Sequence, residues 1–249
     1  MKNLSFITVV YDDLEGLSNT LESLKKNIFM HKQWFEVLVI DGSEKEEIND
    51  LCSKFLDLNI NLISESDRGI YDAMNKGIDA SEGSYLWFIN SGDKLSIRVD
   101  DEFNKHLSSN LDLIFLGYRR RYKNKTLSEN LPKRRSLELG MPTVHQSIIY
   151  NNALFKDKNK YRLDLNICSD YEHFLRISTL PKKTLFIDQI AIDFDCNGIS
   201  SRKPLLLIFE SFSITMKSKL KLYQKTYVLI RTLAAVIIFQ IKRFTYEIF

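Results

Sequence analysis

Between residues 4 and 89, short apolar runs rich in β-branched residues alternate with stretches whose apolar positions recur at helical spacing. This alternation limits the fold more than any other feature of the chain. Residues 4–11 read as a buried strand. Leu14, Leu17, Leu21 and Leu24 then mark one stripe of an amphipathic helix. A second strand over 35–40 ends at Asp41-Gly42-Ser43, and Ser43 with Glu46 has the form of a capping box that opens the next helix. Residues 60–64 give a third strand, 69–80 a helix, and 84–89 a fourth strand that stops at Asn90-Ser91-Gly92-Asp93. Strands and helices in this order pack as an α/β fold, a Rossmann-like, mostly parallel central sheet flanked by helices. Ligands of such sheets bind beyond the carboxyl ends of the strands. Here each strand ends in polar residues: Tyr11-Asp12, Asp41, Glu65 to Arg68, and Asn90 to Asp93.

The second half is less regular. Residues 111–117 read as a strand, 119–135 as a basic surface hairpin or loop, and 145–150 as another strand. Residues 169–180 read as a helix with Asp170 in its first turn, and 185–194 as a pair of short strands. Beyond Pro204 the composition changes. Lys217, Lys219, Lys221 and Lys225 precede residues 227–241, which are apolar except for Arg231, Thr232 and Gln240; Lys242 and Arg243 follow. The uninterrupted apolar run, 233–239, is much shorter than the roughly 20 residues that span a bilayer. Basic flanks around aromatic and aliphatic side chains suit a helix lying in a membrane interface; packing on the core or in a dimer is the alternative. The reading divides the chain at 1–203, an α/β domain, and 204–249, a basic amphipathic C-terminal helical tail that associates with membrane.

Composition excludes several classes. With 249 residues, 44% hydrophobic and 27% charged, the chain can bury a large core. A net charge of +3 is too small to argue for nucleic acid. Cys52, Cys168 and Cys196 are far apart, which supports neither a zinc site nor a disulfide framework. Met-Lys-Asn leads directly into a strand, so no signal peptide is expected and the location expected is cytoplasmic. No G-x-G-x-x-G follows the first strand, which disfavours a dehydrogenase. A nucleotidyltransferase would need a glycine-rich phosphate loop where Tyr11-Asp12-Asp13-Leu14 stands.

The polar strand ends carry the chemistry. Asp41 can accept a hydrogen bond from a base edge or ribose, or can cap the following helix. Asp67 and Arg68 stand just before a helix, with Gly69 permitting close backbone approach, and Arg68 can pair with a diphosphate. For Asp72 and Asn75 the reading is surface and capping. Asn90, Ser91, Gly92 and Asp93 are turn formers, yet a carboxylate there also suits a divalent cation bound to a diphosphate.

In order and spacing these clusters resemble the inverting nucleotide-sugar glycosyltransferases of family two, with the GT-A fold. Phe-Ile-Thr-Val-Val-Tyr is similar to the family's first strand, and Val-Leu-Val-Ile-Asp-Gly-Ser to its second. Asp-Arg-Gly-Ile-Tyr-Asp-Ala-Met-Asn-Lys-Gly-Ile is similar to a segment of a bacterial branch that builds surface polysaccharides, and Trp-Phe-Ile-Asn-Ser-Gly-Asp falls where the family carries its metal motif. The resemblance implies a nucleotide-sugar site with Tyr11, Asp41, Asp67, Arg68, Asn90, Ser91, Gly92, Asp93 and His145. It implies Mn²⁺ or Mg²⁺ as cofactor, with Asp93 the one acid left in a motif whose first acid is replaced by Asn90. Cys-Ser-Asp-Tyr-Glu-His-Phe-Leu-Arg fits the late helix that carries the family's general base, which makes Asp170 the catalytic acid-base residue and Glu172 its nearest rival. Asn197-Gly198-Ile199-Ser200 resembles the turn that closes the catalytic domain, and Arg202 beyond it is within reach of a diphosphate.

The expected reaction is sugar transfer, from UDP-sugar by preference, to a saccharide or lipid-linked oligosaccharide hydroxyl in capsule, O-antigen or exopolysaccharide synthesis. The tail places the chain peripherally on the inner face of the cell membrane; oligomeric state is open. The alternative is a non-catalytic subunit that binds sugar nucleotide or polysaccharide, which the reduced metal motif favours and Asp170 opposes.

Overall fold

The structure, a computed structural model, describes residues 2–248 apart from 108, 123–124, 135–136, 138–139, 157–158 and 179–181; for 199, 235, 239 and 242–248 it describes the backbone alone. The first half alternates as expected: β1 (Leu4–Val10), α1 (Leu14–Asn27), β2 (Phe35–Asp41), α2 (Glu46–Ser53), β3 (Ile60–Ser64), α3 (Ile70–Ala80) and β4 (Tyr85–Phe88). Then come β5 (Lys94–Leu95), α4 (Asp101–Leu107), β6 (Leu113–Tyr122), β7 (Lys125–Asn130), β8 (Ile148–Asn151), α5 (Ser169–Ser178), β9 (Thr184–Asp195), α6 (Ile199–Arg202), α7 (Pro204–Lys217) and α8 (Leu222–Ile248). The strands form one sheet ordered β3-β2-β1-β4-β8-β6-β9-β5, with β7 on β6. The part β3-β2-β1-β4 is parallel, and beyond it the sheet is mixed: β8 runs antiparallel to both β4 and β6, while β6 and β9 are parallel.

Every residue of β1, β2 and β4 is buried, because helices cover both faces. Leu17, Leu21 and Leu24 of α1 pack on one face with Phe6, Val37 and Trp87. The other face holds Ile7, Leu38, Ile40 and Phe88 against Tyr71, Met74 and Ile78 of α3. Gly77 is what lets α3 lie this close: a Cβ there would stand 2.6 Å from Ile7 Cγ2.

Several local expectations give way to competing interactions. Ser43 does not cap α2. Its hydroxyl donates to Asp41 Oδ1 (2.5 Å), and the helix starts after Lys45 with no side-chain cap. Residues 145–150 are not one strand, because His145–Ser147 forms a single 3₁₀ turn before β8. Residues 185–194 form one strand rather than two, β9, carried along β6 by register shifts around Gly117. Within the basic stretch 119–135, residues 119–122 of β6 pair antiparallel with β7. Positions 123, 124 and 135 of that stretch, and 179–180 of the expected helix, lie outside the described residues, as do the Lys242 and Arg243 side chains.

The C-terminal helices have two faces. On α7, Glu210, Ser211, Ile214 and Thr215 are buried, and Ile214 shares a small core with Ile167, Cys168 and Leu175 around the start of α5. Its outer face shows Leu205, Phe209, Phe212 and Met216, and α8 adds Tyr227, Ile230, Ile237 and Ile238 to the exposed apolar surface. Among the described residues no helix is long and apolar enough to cross a membrane.

Trp87 is the most sensitive core position. It is fully buried, stacks on Phe6 and Phe103 at 5.6 and 5.9 Å, and donates from its indole N–H to the Gln146 carbonyl at 2.8 Å. Trp87→Ala should therefore cost about 3–5 kcal/mol. Urea unfolding is expected to show a lower midpoint with an unchanged slope; an unchanged midpoint would contradict this packing.

Candidate active site

The ends of β1 and β4 are bound together by one carboxylate. Asp13 caps α1 through Oδ1, which accepts from the Gly16 N–H at 3.0 Å, and its Oδ2 accepts from the Ser91 hydroxyl at 2.8 Å. The chain after β1 therefore lies against the Asn90–Asp93 turn, where Gly92 takes φ +92°. Asp93 is 3% exposed and its Oδ1 accepts from the Asp195 N–H at 2.8 Å. Burial pushes the Asp93 carboxyl well above the ordinary carboxylate range, and the neighbouring Asp195 carboxylate adds to this. Asp195 Oδ2 leans over Gly92, 3.3 Å from where a Cβ would stand.

Asp13, Asn90, Ser91, Asp93 and Asp195 border a cavity of about 1310 Å³. Single-ligand sites span roughly 300–1,000 Å³, and this one is larger. Asn90 Oδ1, Thr143 Oγ1 and His145 Nδ1 line it as buried polar atoms with no hydrogen-bond partner among the described residues. Buried polar atoms are nearly always satisfied, so three such atoms in residues bordering one cavity point to a polar ligand. His145 is held by its other nitrogen, Nε2, at 2.6 Å from Tyr161 Oη, and burial depresses its pKa to about 3, which keeps the ring neutral.

Helix α3 supplies the opposite support. Asp67 Oδ1 accepts from the Gly69 N–H at 2.8 Å, and Asp67 fits against Gly42 because any Cβ there would collide with its carboxylate. Asn75 exchanges two hydrogen bonds with the Tyr161 backbone, at 2.9 and 3.0 Å. Tyr71 Oη lies 2.9 Å from Asp170 Oδ1 and shares its proton with the Ile167 carbonyl.

Asp170 stands in the first turn of α5 at the cavity wall. Burial raises its pKa to about 6 against the pull of the Tyr71 hydroxyl and the Tyr171 N–H, while the charge of Glu210 raises it further. Glu210 comes from α7. Its carboxylate, 4% exposed, accepts from the N–H groups of Asn166, Ile167 and Cys168 at 2.8, 2.9 and 3.0 Å. It fixes the turn from which Asp170 projects. Glu172 is committed elsewhere, to Arg176 at 3.1 Å.

Of the residues singled out from sequence, Tyr11, Asp67, Asn90, Ser91, Asp93, His145 and Asp170 border this one cavity. Gly92 borders a smaller adjoining one. Asp41 and Arg68 are not in its wall. Asp41 is fully buried and accepts from the Ser43, Lys45 and Ser64 groups; Arg68 is exposed and forks onto Asp72. Sequence reasoning missed Asp195, Tyr71, Glu210 and Arg231. Asp195 had a signal in Asp193-Phe194-Asp195, acids alternating at the end of a strand-like run. Glu210 and Arg231 had none, since each meets the site from a helix read as a separate tail.

The glycosyl transferase family 2 model matches residues 5–178. An uncharacterised glycosyltransferase of Mycobacterium tuberculosis (strain H37Rv) is 29% identical over 212 residues, covering 83% of this chain and 80% of the relative. Among solved structures, S. aureus TarS 1–349 in complex with UDP superposes with a TM-score of 0.65 at 17% identity, over 94% of this chain and 71% of that one. The mannosyltransferase PcManGT from Pyrobaculum calidifontis, in complex with GDP-Man and Mn²⁺, gives 0.67 at 12% identity, over 94% and 73%. The Rossmann-like architecture is thus the GT-A fold.

The two supports of Asp170 act in opposite directions. Tyr71→Phe should raise its pKa above about 6, and Glu210→Gln should lower it. A ¹³C-carboxyl NMR titration reads both shifts, and movement of the two variants in the same direction would refute the assignment.

Proposed function

The chain belongs to glycosyl transferase family 2, and from that membership we propose that it transfers a sugar, with inversion, from a nucleotide-diphosphate sugar to a hydroxyl of a lipid-linked saccharide. The observation that carries the reading is Asp170, a buried carboxylate in the wall of a large cavity, with its pKa raised to about 6. In the proposed step the acceptor oxygen attacks the anomeric carbon and its proton passes to Asp170. The anomeric carbon–oxygen bond to the diphosphate breaks, with its electron pair going to the leaving phosphate oxygen. A base with a pKa near 6 is ionised at neutral pH and still basic enough to take that proton.

Asn90, Thr143 and His145, with their unmatched polar atoms, are the candidates for the donor's hydroxyl and phosphate groups. Tyr11, 72% exposed at the cavity rim, offers a ring for the base to stack on. Asp67 borders the same wall, whereas Asp41 and Arg68 support the reading only through the loops they fix. UDP is the favoured nucleotide, since a structural neighbour binds it.

Asp93 and Asp195 would hold a divalent cation, Mn²⁺ or Mg²⁺, whose chemistry is to neutralise charge developing on the leaving diphosphate. The fit rests on two adjacent carboxylates, one of them pushed up by burial and by its neighbour; a cation that takes one or two carboxylates and completes its shell from phosphate and water matches that set. Residues 204–249 are proposed as the membrane-associating part, since α7 and α8 turn apolar side chains outward beside Lys217, Lys219 and Lys221. The chain would then sit peripherally on the inner face of the cell membrane, building surface polysaccharide.

Asp170→Asn should lower turnover at least about 10²-fold while leaving UDP affinity unchanged by calorimetry; undiminished transfer would remove Asp170 from the mechanism. The pH profile of kcat/KM should rise through about 6 and level off above it, because the base works only when deprotonated. Asp93→Ala should weaken donor binding in Mn²⁺ but not in chelator, and equal loss in both would exclude a cation role.

A further inference from the structure

Strand β6 carries three successive arginines, Arg119, Arg120 and Arg121, and its neighbour β9 sorts them. Arg119 and Arg121 each donate from Nη1 to Asp193, at 2.8 and 3.1 Å, so both lie on one face of the sheet. Successive side chains of a strand point to opposite faces, and Arg120 accordingly borders the large cavity. Its place there is set twice over. In the register of β6 on β9 it stands opposite Phe194, and its guanidinium is in hydrogen-bonding reach of the Cys196 thiol, which is buried. Phe194 and Cys196 are the residues before and after Asp195, and the same thiol lies within electrostatic range of Asp93 and Asp195. Arg120 therefore enters the cavity at the end where the Asp195 N–H donates to Asp93. Its backbone is paired on both sides, to Phe194 of β9 and Ser128 of β7, which fixes the point from which the side chain projects.

A guanidinium next to two carboxylates that would hold a cation suits an anion shared with that cation. Arginine presents a planar fork that matches phosphate oxygens, and the proposed reaction brings one polyanion to this end of the cavity, the diphosphate of the donor. Arg68, which the sequence offered for that contact, is exposed, forks onto Asp72 and stands outside the wall. We propose that Arg120 binds the diphosphate of the nucleotide-sugar donor, and that it does so whether or not a divalent cation is bound. The guanidinium charge is permanent, whereas the cation is exchangeable. Donor affinity is then divided between a fixed charge and a removable one, and part of it survives removal of the cation. The proposal rests on the glycosyl-transfer reading of the cavity and adds to it the residue that recognises the leaving group.

The test is equilibrium dialysis of the full chain with labelled UDP, UMP and uridine, each in Mg²⁺ and in EDTA. In EDTA the unaltered chain is expected to bind UDP more tightly than UMP or uridine. Arg120→Gln and Arg120→Met should each weaken UDP in EDTA at least about tenfold, Arg120→Lys should recover part, and uridine affinity should stay within about twofold in all three. Two replacements of different polarity, each read beside its melting temperature, separate lost recognition from lost folding. The proposal is overturned if the Gln and Met variants bind UDP in EDTA as the parent does, or if UMP binds the parent as tightly as UDP. It is also overturned if uridine affinity falls in parallel with UDP affinity, which would make Arg120 a structural residue. Failure of UDP to bind the unaltered chain in either buffer would sink the glycosyl-transfer reading and this proposal together. UDP binding in Mg²⁺ but not in EDTA sinks this proposal alone, since the cation would then hold the diphosphate by itself.

Discussion

The site depends on helix α3 lying directly on the parallel strands while reaching across to the second half of the chain. Gly77 sets the depth of the helix, because any side chain there would drive into Ile7. From that fixed position Tyr71 reaches Asp170 and Asn75 grips the Tyr161 backbone. Tyr161 in turn holds His145 and packs against Phe88 at the end of β4. A single helix thus locks the parallel half-sheet to the part of the chain that carries the carboxylate. Its flanks are closed by ion pairs, Arg68 with Asp72 and Lys76 with Glu65, which lie near the surface, where solvent screens them and they contribute little. The geometry therefore comes from packing and buried hydrogen bonds, and the charges of this segment only trim it.

Asp170 shows how opposed effects, with burial the largest, set a useful value. Burial pushes its pKa up, and hydrogen bonds from the Tyr71 hydroxyl and the Tyr171 N–H pull it down. Glu210 enters twice, as the acceptor of three backbone N–H groups and as a negative charge that opposes ionisation of Asp170. Glu172, two residues along the same helix, cannot substitute, since it is turned to Arg176 and also faces a different direction.

The parallel half of the fold was legible because its signals are local: β-branched runs buried on both faces, and leucines at helical spacing. Asp170 was singled out through the resemblance, which implies a base near the start of a late helix; its position alone reads equally as a cap. What failed had a competitor that sequence spacing does not reveal. Ser43 had the form of a cap, but Asp41 is fully buried and needed its hydroxyl; an unsatisfied buried carboxylate costs more than an uncapped exposed helix end. That same saturation turned Asp41 from a candidate contact into the fastening of its own loop. Asp195 was hidden because β9 was read as two short strands, which concealed that its end returns to Asp93.

The C-terminal helices were read by their apolar content, which is divided between an exposed surface and a buried face that holds Ile214 and Val228. One wheel of α7 carries Phe209 and Phe212 to the outside and Glu210 and Ile214 to the inside, so composition averaged over the segment registers lipid affinity and misses the carboxylate that positions Asp170. Arg231 repeats the pattern on α8, a charged interruption in an apolar run whose neighbour Ile230 is exposed while its own guanidinium lines the cavity. A charge inside an apolar stretch is costly wherever it is left without a partner. The Arg231 guanidinium stands in the cavity wall, so this part of α8 meets the site. If the outer face rests on a membrane, the two roles are fixed to one rigid hairpin, and the cavity opens at a set height above the lipid surface.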